Sequence, residues 1–580
     1  MVNPLLLVRP RRRRTTDLRQ HRVDIPAQPP GADAIFLLLR RMRMPLIVLV
    51  LVFAVSVFGL SAAPGTDSDG NPYHLTIFEA FYVMSYTATT IGFGEIPYAF
   101  STSQRLWVTG SIYASVVAWA YAIGMVLSLT QDESFRDAVA AQRFARKVRH
   151  QQDGFHIIAG YGGAGHRVAH ALDLIRCRFV IIDSDGIRID RLETEQLAAE
   201  APGIQGDAAS PAVLGLAGLG HKRCAGVLAL TGDDLVNLGV VQAVHLLRPE
   251  LPVIAWSRDR TIAEHMREFG ATAVLNPYDR FGAYLTIGLR RPVTLQLMQW
   301  LMSPLGTPVP DVPHAVPDGT WLVVAEGSFK HEIERDLHTA GYAVVHRDPH
   351  EGIGDCRSFV GFVAGADSDT VNLALGAEVR RQAPDVFLCL RQSRAAAAPL
   401  YEAFAPDSTF LATDLVAREC FARIVTPRMW KFLEKVGAKD EAWSQAFLDH
   451  VVTRCGPGSP NGWRLSINEA EAPGVMRWLT HDELTLDQLL RHPADREEYA
   501  PIVVLALRRD GIFTAAPPES TALRPGDELL LASPPRGYAY VRDALFNEAV
   551  VEYVATGRAV PTTWVWRRVA DLTGRSVVRR

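Results

Sequence analysis

Long apolar runs occur only near the start of the chain, where they predict two helices that cross a membrane. Residues 44–63 carry no charged side chain, and residues 106–129 have tyrosine as their only ionisable residue type. A hydrocarbon core of about 30 Å needs about 20 helical residues, so both runs are long enough to span. Beyond residue 129 the apolar runs are short and bounded by turns, which is typical of soluble α/β domains.

The charges that flank these runs predict their orientation. Arginines precede the first run and a basic segment follows the second, whereas residues 64–104 contain neither Lys nor Arg. By the positive-inside rule both termini are cytoplasmic and the connecting loop is outside, which predicts a multi-pass protein of the plasma (inner) membrane. A cleaved secretory signal is disfavoured, since the first apolar run begins too late and is too long.

The segment between the two spans, residues 77–95, predicts a re-entrant pore loop. Residues 77–87 have an apolar helix pattern that is too short to span, and a glycine-rich stretch follows them. Stripping water from K⁺ requires a ladder of backbone carbonyls that point at one axis, and alternating glycines permit the positive φ angles of such a ladder. Non-helical backbone at membrane depth is tolerated where it lines a wet pore. The residue types therefore predict an ion selectivity filter.

Thr-Ile-Gly-Phe-Gly, placed between two spans and after a short helix, resembles the TVGYG filter of potassium channels. The resemblance implies a homotetramer that conducts K⁺. It also implies that the ion-coordinating residues are Thr90, Ile91, Gly92, Phe93 and Gly94. Phe93 stands where the family usually has Tyr, and Glu95 where it usually has Asp. Because the phenol hydroxyl is missing, the sequence leaves open whether the pore also passes Na⁺.

The overall composition excludes several other classes of protein. The 580 residues include 60 Lys plus Arg and 63 Asp plus Glu, a net charge of −3 that argues against a nucleic-acid binder. With 48% hydrophobic and 21% charged residues, the chain is not largely disordered. The six cysteines form no C-x-x-C pair and the histidines no H-E-x-x-H motif. No disulfide framework and no metal site are therefore predicted, apart from K⁺ in the filter.

A polar linker, residues 132–152, leads into a pattern that predicts a nucleotide site. An apolar strand at 155–159 is followed by a G-x-G-x-x-G motif and a helix pattern, the context in which backbone approaches a pyrophosphate at a helix N-terminus. The candidate binding residues of this loop are Gly160, Gly162, Gly163 and Gly165. A second predicted strand ends at Asp183, where an acid suits a ribose hydroxyl and disfavours NADP. We predict NAD or a related adenine nucleotide as a regulatory ligand, and a Rossmann fold with an empty pocket is the alternative.

Further markers resemble the RCK domain, the regulator of potassium conductance that is also found in Trk-type uptake proteins. They are Gly206-Asp207 and the turn from Thr231 to Asn237. The resemblance places Asp207 near the nucleotide cleft, together with Asp233, Asp234 and Asn237. A capped helix start explains that turn equally well.

A degenerate copy of the same pattern follows. Residues 321–348 align with residues 156–183 at an offset of 165, so Asp348 falls on Asp183. Of the glycine motif only Gly327 survives, and Glu326 adds negative charge beside it. We expect a second RCK domain that does not bind NAD in the same manner. Its polar cluster, Asp348, His350, Glu351 and Asp355, predicts a solvated loop rather than a divalent-ion site.

The predicted fold class is a membrane α-helical pore module, two spans plus a re-entrant pore loop, followed by α/β Rossmann-like RCK domains. The predicted divisions are an N-terminal cytoplasmic segment (1–43), the pore module (44–131), a linker (132–152), the first RCK domain (153–290), a linker (291–319), the second RCK domain (320–430), an unassigned stretch (431–499), an RCK C-terminal lobe (500–535) and a tail (536–580).

The predicted function is a ligand-gated potassium channel, not an enzyme, in which nucleotide binding to a cytoplasmic RCK ring gates the pore. Its partners are the lipid bilayer and a small nucleotide, with no nucleic acid. Three alternatives stay open: a non-selective K⁺/Na⁺ channel, a non-conducting NAD-binding subunit of a potassium uptake system, and a membrane-anchored NAD-dependent oxidoreductase.

Overall fold

The structure, a computed structural model, describes residues 25, 32–95, 97–131, 133–312 and 316–558. The arginines before residue 25 and the tail after residue 558 lie outside the described residues. Two compact units are present. The first holds the chain up to Tyr161, Asp173–Val253 and Phe269–Thr272, and the second holds Gly162–Leu172, Ile254–Glu268 and the chain from Ala273 onward.

The first unit begins with the predicted membrane helices. Its opening elements are α1 (Ala32–Ala62), β1 (Gly65–Thr66), β2 (Pro72–Tyr73), α2 (Ile77–Ala88), α3 (Thr102–Gln131) and α4 (Glu133–Arg149). Two stretches, Arg43–Ala62 and Thr102–Ser128, are long and apolar enough to cross a membrane. Helix α1 starts before the predicted span because the residues that precede it are mostly good helix formers. Helix α2 has 12 residues, too few to span a bilayer.

Gly59 of α1 is in close contact with the side chain of Trp107 on α3. A Cβ atom on Gly59 would lie 1.9 Å from the indole of Trp107, whose Nε1–H donates a hydrogen bond to the Ser56 carbonyl at 3.0 Å. A side chain at this position would therefore push the indole away and break that bond.

We expect Gly59→Ala to destabilise the subunit by about 1–3 kcal/mol, because it overpacks a closed contact. Gly110→Ala is the matched control, since nothing lies within 4 Å of a Cβ built there. Thermal unfolding of the two purified variants in detergent measures the difference. Equal unfolding midpoints would contradict the tight packing of α1 on α3.

The first unit continues as an α/β fold. Its strands β3 (Phe155–Ala159), β4 (Arg178–Asp183), β5 (Gly203–Gln205) and β6 (Cys224–Ala229) pair in the order β5-β4-β3-β6, and all three pairings are parallel. The helices of this unit that follow strands along the chain are α6 (Gly186–Thr194), α7 (Pro211–Leu216) and α8 (Asp234–Leu247), whereas α5 (Gly163–Leu174), which follows β3, belongs to the second unit up to Leu172. Strand β3 has β4 on one side and β6 on the other, so strand order reverses across it. Parallel α/β sheets bind ligands at the carboxyl ends of strands at such a switch point.

The second unit contains β7 (Val253–Trp256), of which only Val253 belongs to the first unit. It continues with α9 (Arg260–Glu268), β8 (Ala273–Leu275), α10 (Pro277–Arg290) and α11 (Pro292–Met302). The sequence pattern predicts one helix near 281–302, but the structure has two. Pro292 separates them, because proline donates no N–H and disfavours helical backbone at the residue before it. Arg291, that preceding residue, has φ −142° and ψ 64°.

The predicted repeat is a second parallel α/β layer. Its elements are β9 (Thr320–Ala325), α12 (Gly327–Thr339), β10 (Ala343–Arg347), β11 (Gly361–Gly365), α13 (Asp369–Gln382), β12 (Phe387–Gln392), α14 (Ala398–Phe404), β13 (Ser408–Leu411) and α15 (Ala412–Val425). The strand order is β10-β9-β11-β12-β13. One detail shows the repeat at atomic level. The Asn237 side-chain amide accepts the N–H of Thr231 and donates to the carbonyl of the same residue. The Asn372 side-chain amide makes the same pair of hydrogen bonds with Ala366.

The C-terminal lobe is larger than the sequence predicts. Its elements are α16 (Pro427–Val436), α17 (Glu441–Cys455), β14 (Asn461–Ser466), α18 (Pro473–Trp478), α19 (Leu486–Leu489), β15 (Val503–Arg509), β16 (Ile512–Ala515), β17 (Glu528–Ser533), α20 (Gly537–Phe546) and α21 (Glu548–Thr556). The sheet order is β14-β17-β15-β16. The stretch 431–499, which the sequence leaves unassigned, thus supplies the edge strand β14 and part of a core that runs from Leu465 to Ala555.

Within the second unit, Asp336 of α12 is a carboxyl group in an unfavourable environment. Its Oδ2 atom is buried without a hydrogen-bond partner, and a Cβ on Gly282 of α10 would lie 2.0 Å from it. Burial raises the pKa of Asp336 to about 6, although Arg335 beside it acts in the opposite direction. The folded state therefore holds this proton more tightly than the unfolded state does.

We expect Asp336→Asn to stabilise the protein near pH 8, by up to about 3 kcal/mol, and to lose that advantage as the pH falls below about 4. The sign follows from the raised pKa, because the wild type loses stability as pH rises through the window from 3.8 to about 6. Unfolding midpoints measured across this range test the prediction. Asp318→Asn, at a side chain that is 83% exposed, is the control. If Asp336→Asn is no more stable than the wild type near pH 8, the prediction is wrong.

Candidate functional site

The short helix α2 is fixed at its start and opens into the glycine-rich segment at its end. Thr76 and Glu79 form a capping box, and the Tyr73 hydroxyl donates to Glu79 Oε2 at 2.6 Å. The helix ends at Ala88, and Thr89 is its C-cap. The carboxyl end of a helix carries partial negative charge, which favours a cation nearby. The segment that follows therefore begins where a cation is stabilised.

The backbone of the segment Thr90–Gly94 alternates in the sign of φ. The angle is +63° at Thr90, +66° at Gly92 and +100° at Gly94, and it is not positive at Ile91 or Phe93. Alternation of this kind can turn successive carbonyl groups toward one side. Thr90 is the informative member, since a left-handed conformation costs a non-glycine residue about 1–2 kcal/mol. Strain of this size is characteristic of functional segments.

Side chains of the same segment are exposed within the single subunit. Ile91 is 60% exposed and Phe93 62%. A Cβ built on Gly92 or Gly94 would meet nothing within 4 Å. The segment thus has an open side on which other copies of the chain could pack.

Hydrogen bonds from three residues hold the C-terminal end of the segment. The Tyr86 hydroxyl of α2 donates to the Gly94 carbonyl at 2.5 Å. The Glu95 carboxylate accepts hydrogen bonds from Nε and Nη2 of Arg105, at 2.8 and 2.9 Å, and from the N–H of Phe100. The sequence reasoning missed Tyr86 and Arg105. No local signal marks them, because both contacts depend on how α2, the segment and α3 fold together.

In the first α/β sheet, the predicted loop leaves β3 at a position that only glycine fits. Gly160 has φ +101°, and a Cβ there would lie 2.7 Å from the backbone nitrogen of Thr231. Its own N–H donates to the Ile182 carbonyl at 2.7 Å. The loop is therefore joined to the ends of both neighbouring strands.

Asp183 is buried at the end of β4, beside this loop. Its carboxylate accepts the N–H of Tyr161 at 2.5 Å and that of Asp185 at 2.9 Å. The Arg188 guanidinium of α6 lies 3.3 Å from the same carboxylate. The sequence reasoning did not single out Arg188. The positive charge of Arg188 offsets the negative charge of Asp183, which was predicted to disfavour the phosphate of NADP.

The remaining predicted nucleotide residues lie on adjoining segments. Gly162 precedes α5, and Gly163 and Gly165 lie in its first turn, where N–H groups have no partner within the helix. Asp207 is exposed, and the residue before it, Gly206, donates its N–H to the Asp183 carbonyl at 2.9 Å. Asp233 is the N-cap of α8, accepting from Leu235 N–H. The capping interpretation of the Asp233 turn therefore has direct structural support.

The corresponding loop of the repeat has a charged residue and a large buried side chain. Glu326 Oε1 accepts the N–H of Asp367 at 3.2 Å. Phe329, on the first turn of α12, is buried and stacks on Phe410 with ring centroids 5.5 Å apart. The Arg391 guanidinium lies 5.3 Å from the centroid of the Phe329 ring. The Glu326 carboxylate thus lies beside the start of α12, where its charge would repel a pyrophosphate.

The polar cluster of the repeat, Asp348, His350, Glu351 and Asp355, is not among the sets of described residues whose potential metal-binding atoms lie within 4.8 Å of one another. Its carboxylates are used locally. Asp348 Oδ1 accepts the N–H of His350, and Asp355 Oδ1 accepts the N–H of Arg357. A solvated loop remains the prediction for this cluster.

Comparison with known proteins finds a family match for the region around the glycine loop. Residues 156–277 match the model of the TrkA-N domain. This part of the chain is therefore similar to a TrkA-N domain. The chain is also 26% identical to potassium channel protein 1 of Methanocaldococcus jannaschii over 242 residues, which is 41% of this chain and 67% of the relative. These findings confirm the predicted similarity to potassium channels with TrkA-N-like domains.

Among solved structures, the chain is similar to the GsuK channel bound to NAD, with 14% identity, a TM-score of 0.41, and coverage of 88% of this chain and 99% of that one. It is also similar to GsuK bound to ADP, with 14% identity, a TM-score of 0.38, and coverage of 69% and 100%. The two apolar helices and the parallel α/β layers of this chain confirm the predicted fold class.

Proposed function

We propose that this chain is the subunit of a potassium channel whose pore is regulated by an adenine nucleotide. The observation that carries the proposal is the backbone of Thr90–Gly94, with its alternating φ and its open side. Two apolar helices flank this segment, and the M. jannaschii relative is a potassium channel protein. A carbonyl ladder of this kind replaces the hydration shell of K⁺.

A single copy of the segment supplies one side of a pore, so the proposal requires a homotetramer. The exposure of Ile91 and Phe93 supports it, because further copies would cover these apolar side chains. The absence of Lys and Arg from residues 64–104 supports an outside location for the loop, with both termini in the cytoplasm.

Regulation is assigned to the TrkA-N domain. A nucleotide would place its pyrophosphate at the start of α5 and a ribose hydroxyl near Asp183. Helix α4 runs from the end of α3 toward β3 and is the path by which a change in the domain reaches the inner helix. A tenfold shift in the open–closed equilibrium requires about 1.4 kcal/mol of differential binding. The nucleotide acts here as a regulatory ligand, not as a redox cofactor.

K⁺ efflux from liposomes that contain the purified protein tests this function. We expect efflux that requires the protein and changes in rate when NAD⁺, NADH or ADP is added to the side that the TrkA-N domain faces. A folded, reconstituted protein that gives no efflux under any of these conditions would contradict the proposal.

A further inference from the structure

The candidate filter lacks the hydroxyl group that a tyrosine would place at position 93. Phe93 cannot donate a hydrogen bond, so its side chain cannot fix the filter to its surroundings by that means. A carbonyl ladder discriminates between cations only if its oxygens are held at defined positions. Another group must therefore hold the backbone of this segment.

Tyr86 of α2 contacts both ends of the segment. At the inner end its backbone carbonyl accepts the N–H of Ile91 at 2.9 Å and that of Gly92 at 3.3 Å. At the outer end its hydroxyl donates to the Gly94 carbonyl. Its ring also meets the ring of Phe93 edge-on, with centroids 5.4 Å apart. One residue thus spans the length of the filter.

The environment of Tyr86 makes its contact more durable than the ion pair beside it. Tyr86 is only 5% exposed, and its hydroxyl bond to the Gly94 carbonyl is partly buried. Arg105 and Glu95, by contrast, have side chains that are 60% and 35% exposed. Exposed ion pairs contribute about 0–1 kcal/mol and are screened by salt. The partly buried bond from Tyr86 is therefore the stronger constraint on the outer end.

We infer that Tyr86 is a positioning residue whose hydroxyl, in place of the one missing at Phe93, holds the outer end of the filter and sets its selectivity for K⁺ over Na⁺. The inference rests on the proposed channel function. In this arrangement the Gly94 carbonyl is an anchor for the ladder, and the carbonyls of Thr90, Ile91, Gly92 and Phe93 are left to face the ion. Without the hydroxyl the outer end can widen. The carbonyl oxygens then no longer favour K⁺, which loses its water at a lower cost than Na⁺, and selectivity for K⁺ falls.

The test compares Tyr86→Phe with Tyr82→Phe in the full-length protein in a planar bilayer, with K⁺ on one side and Na⁺ on the other. Tyr82 packs against Tyr86 at 5.5 Å between ring centroids and is 47% exposed. Each variant loses only a hydroxyl group. We expect Tyr82→Phe to keep the wild-type reversal potential. Tyr86→Phe should lower the K⁺/Na⁺ permeability ratio about tenfold, a shift of about 59 mV toward zero.

Several outcomes are decisive. Wild-type selectivity in Tyr86→Phe would overturn the inference while leaving the channel function intact. No current from the wild type would overturn the channel function, and the inference with it. If Tyr86→Phe does not yield a folded oligomer, converting the peptide bond between Gly94 and Glu95 to an ester weakens the Gly94 carbonyl as an acceptor and leaves every side chain in place. The ester should also reduce selectivity, and an unchanged ratio would overturn the inference.

Discussion

Gly92→Ala is expected to abolish K⁺ current while the protein still folds and assembles. Gly92 has φ +66°, a conformation that costs an L-residue about 1–2 kcal/mol, and a tetramer incurs that cost in every subunit at the same level of the pore. Because nothing lies within 4 Å of a Cβ built there, folding of the subunit itself is not obstructed. The ladder of carbonyls instead loses the geometry at its centre.

Gly70→Ala is the matched control for this prediction. Gly70 also has a positive φ, +83°, and open space around its Cβ position, but it lies in the hairpin loop between β1 and β2. Both variants carry a similar backbone penalty, so only the place of the residue differs. Single-channel recording of the two should show no openings for Gly92→Ala and wild-type conductance for Gly70→Ala. Normal conductance in both variants would show that Thr90–Gly94 does not line the ion pathway.

The second large effect is expected at Gly160. Gly160→Ala should eliminate nucleotide binding by the full-length protein, because a Cβ would lie 2.7 Å from the Thr231 nitrogen at a φ of +101°. The atom it meets is backbone at the end of β6, which cannot move aside as a flexible side chain can. The loop that is proposed to bind the pyrophosphate must then leave its position.

Titration calorimetry tests this prediction and also counts the sites. We expect the wild type to bind one NAD per subunit, Gly160→Ala to bind none, and Gly327→Ala to bind one. Gly327 is the surviving glycine of the repeat, with φ +61° and nothing within 4 Å of a Cβ. Two sites in the wild type, or half the binding retained in Gly160→Ala, would show that the repeat binds nucleotide despite Glu326 and Phe329. A near-ultraviolet circular dichroism spectrum confirms that each variant is folded.

Much of the fold could be predicted from local patterns. The two spans follow from apolar length, and the strand–glycine–helix order of residues 155–174 follows from spacing. The C-terminal lobe was only partly predicted because β14 pairs with β17, which is far away in the sequence, and no local pattern records such a pairing. The break at Pro292 could have been predicted, since proline in a helical pattern is a direct signal.

The candidate site shows the same limit. The glycines of both loops were visible from their spacing, and Gly92, Gly94 and Gly160 have the positive φ that favours glycine. Tyr86, Arg105 and Arg188 were not, although each contacts a predicted residue directly. Tyrosine and arginine occur in many ordinary environments, so their roles depend on tertiary contacts that spacing does not determine. In the repeat, the sequence indicated damage to the loop, but not the stacking of Phe329 on Phe410 or the position of Arg391 beside the Phe329 ring.

The central claim, that Thr90–Gly94 is a potassium filter, is tested most directly by the reversal potential of the purified wild-type protein in a planar bilayer with K⁺ on one side and Na⁺ on the other. We predict a value close to the K⁺ equilibrium potential. A clear current that reverses near zero would mean a non-selective pore, and a folded, reconstituted protein without current, with or without nucleotide, would contradict the claim.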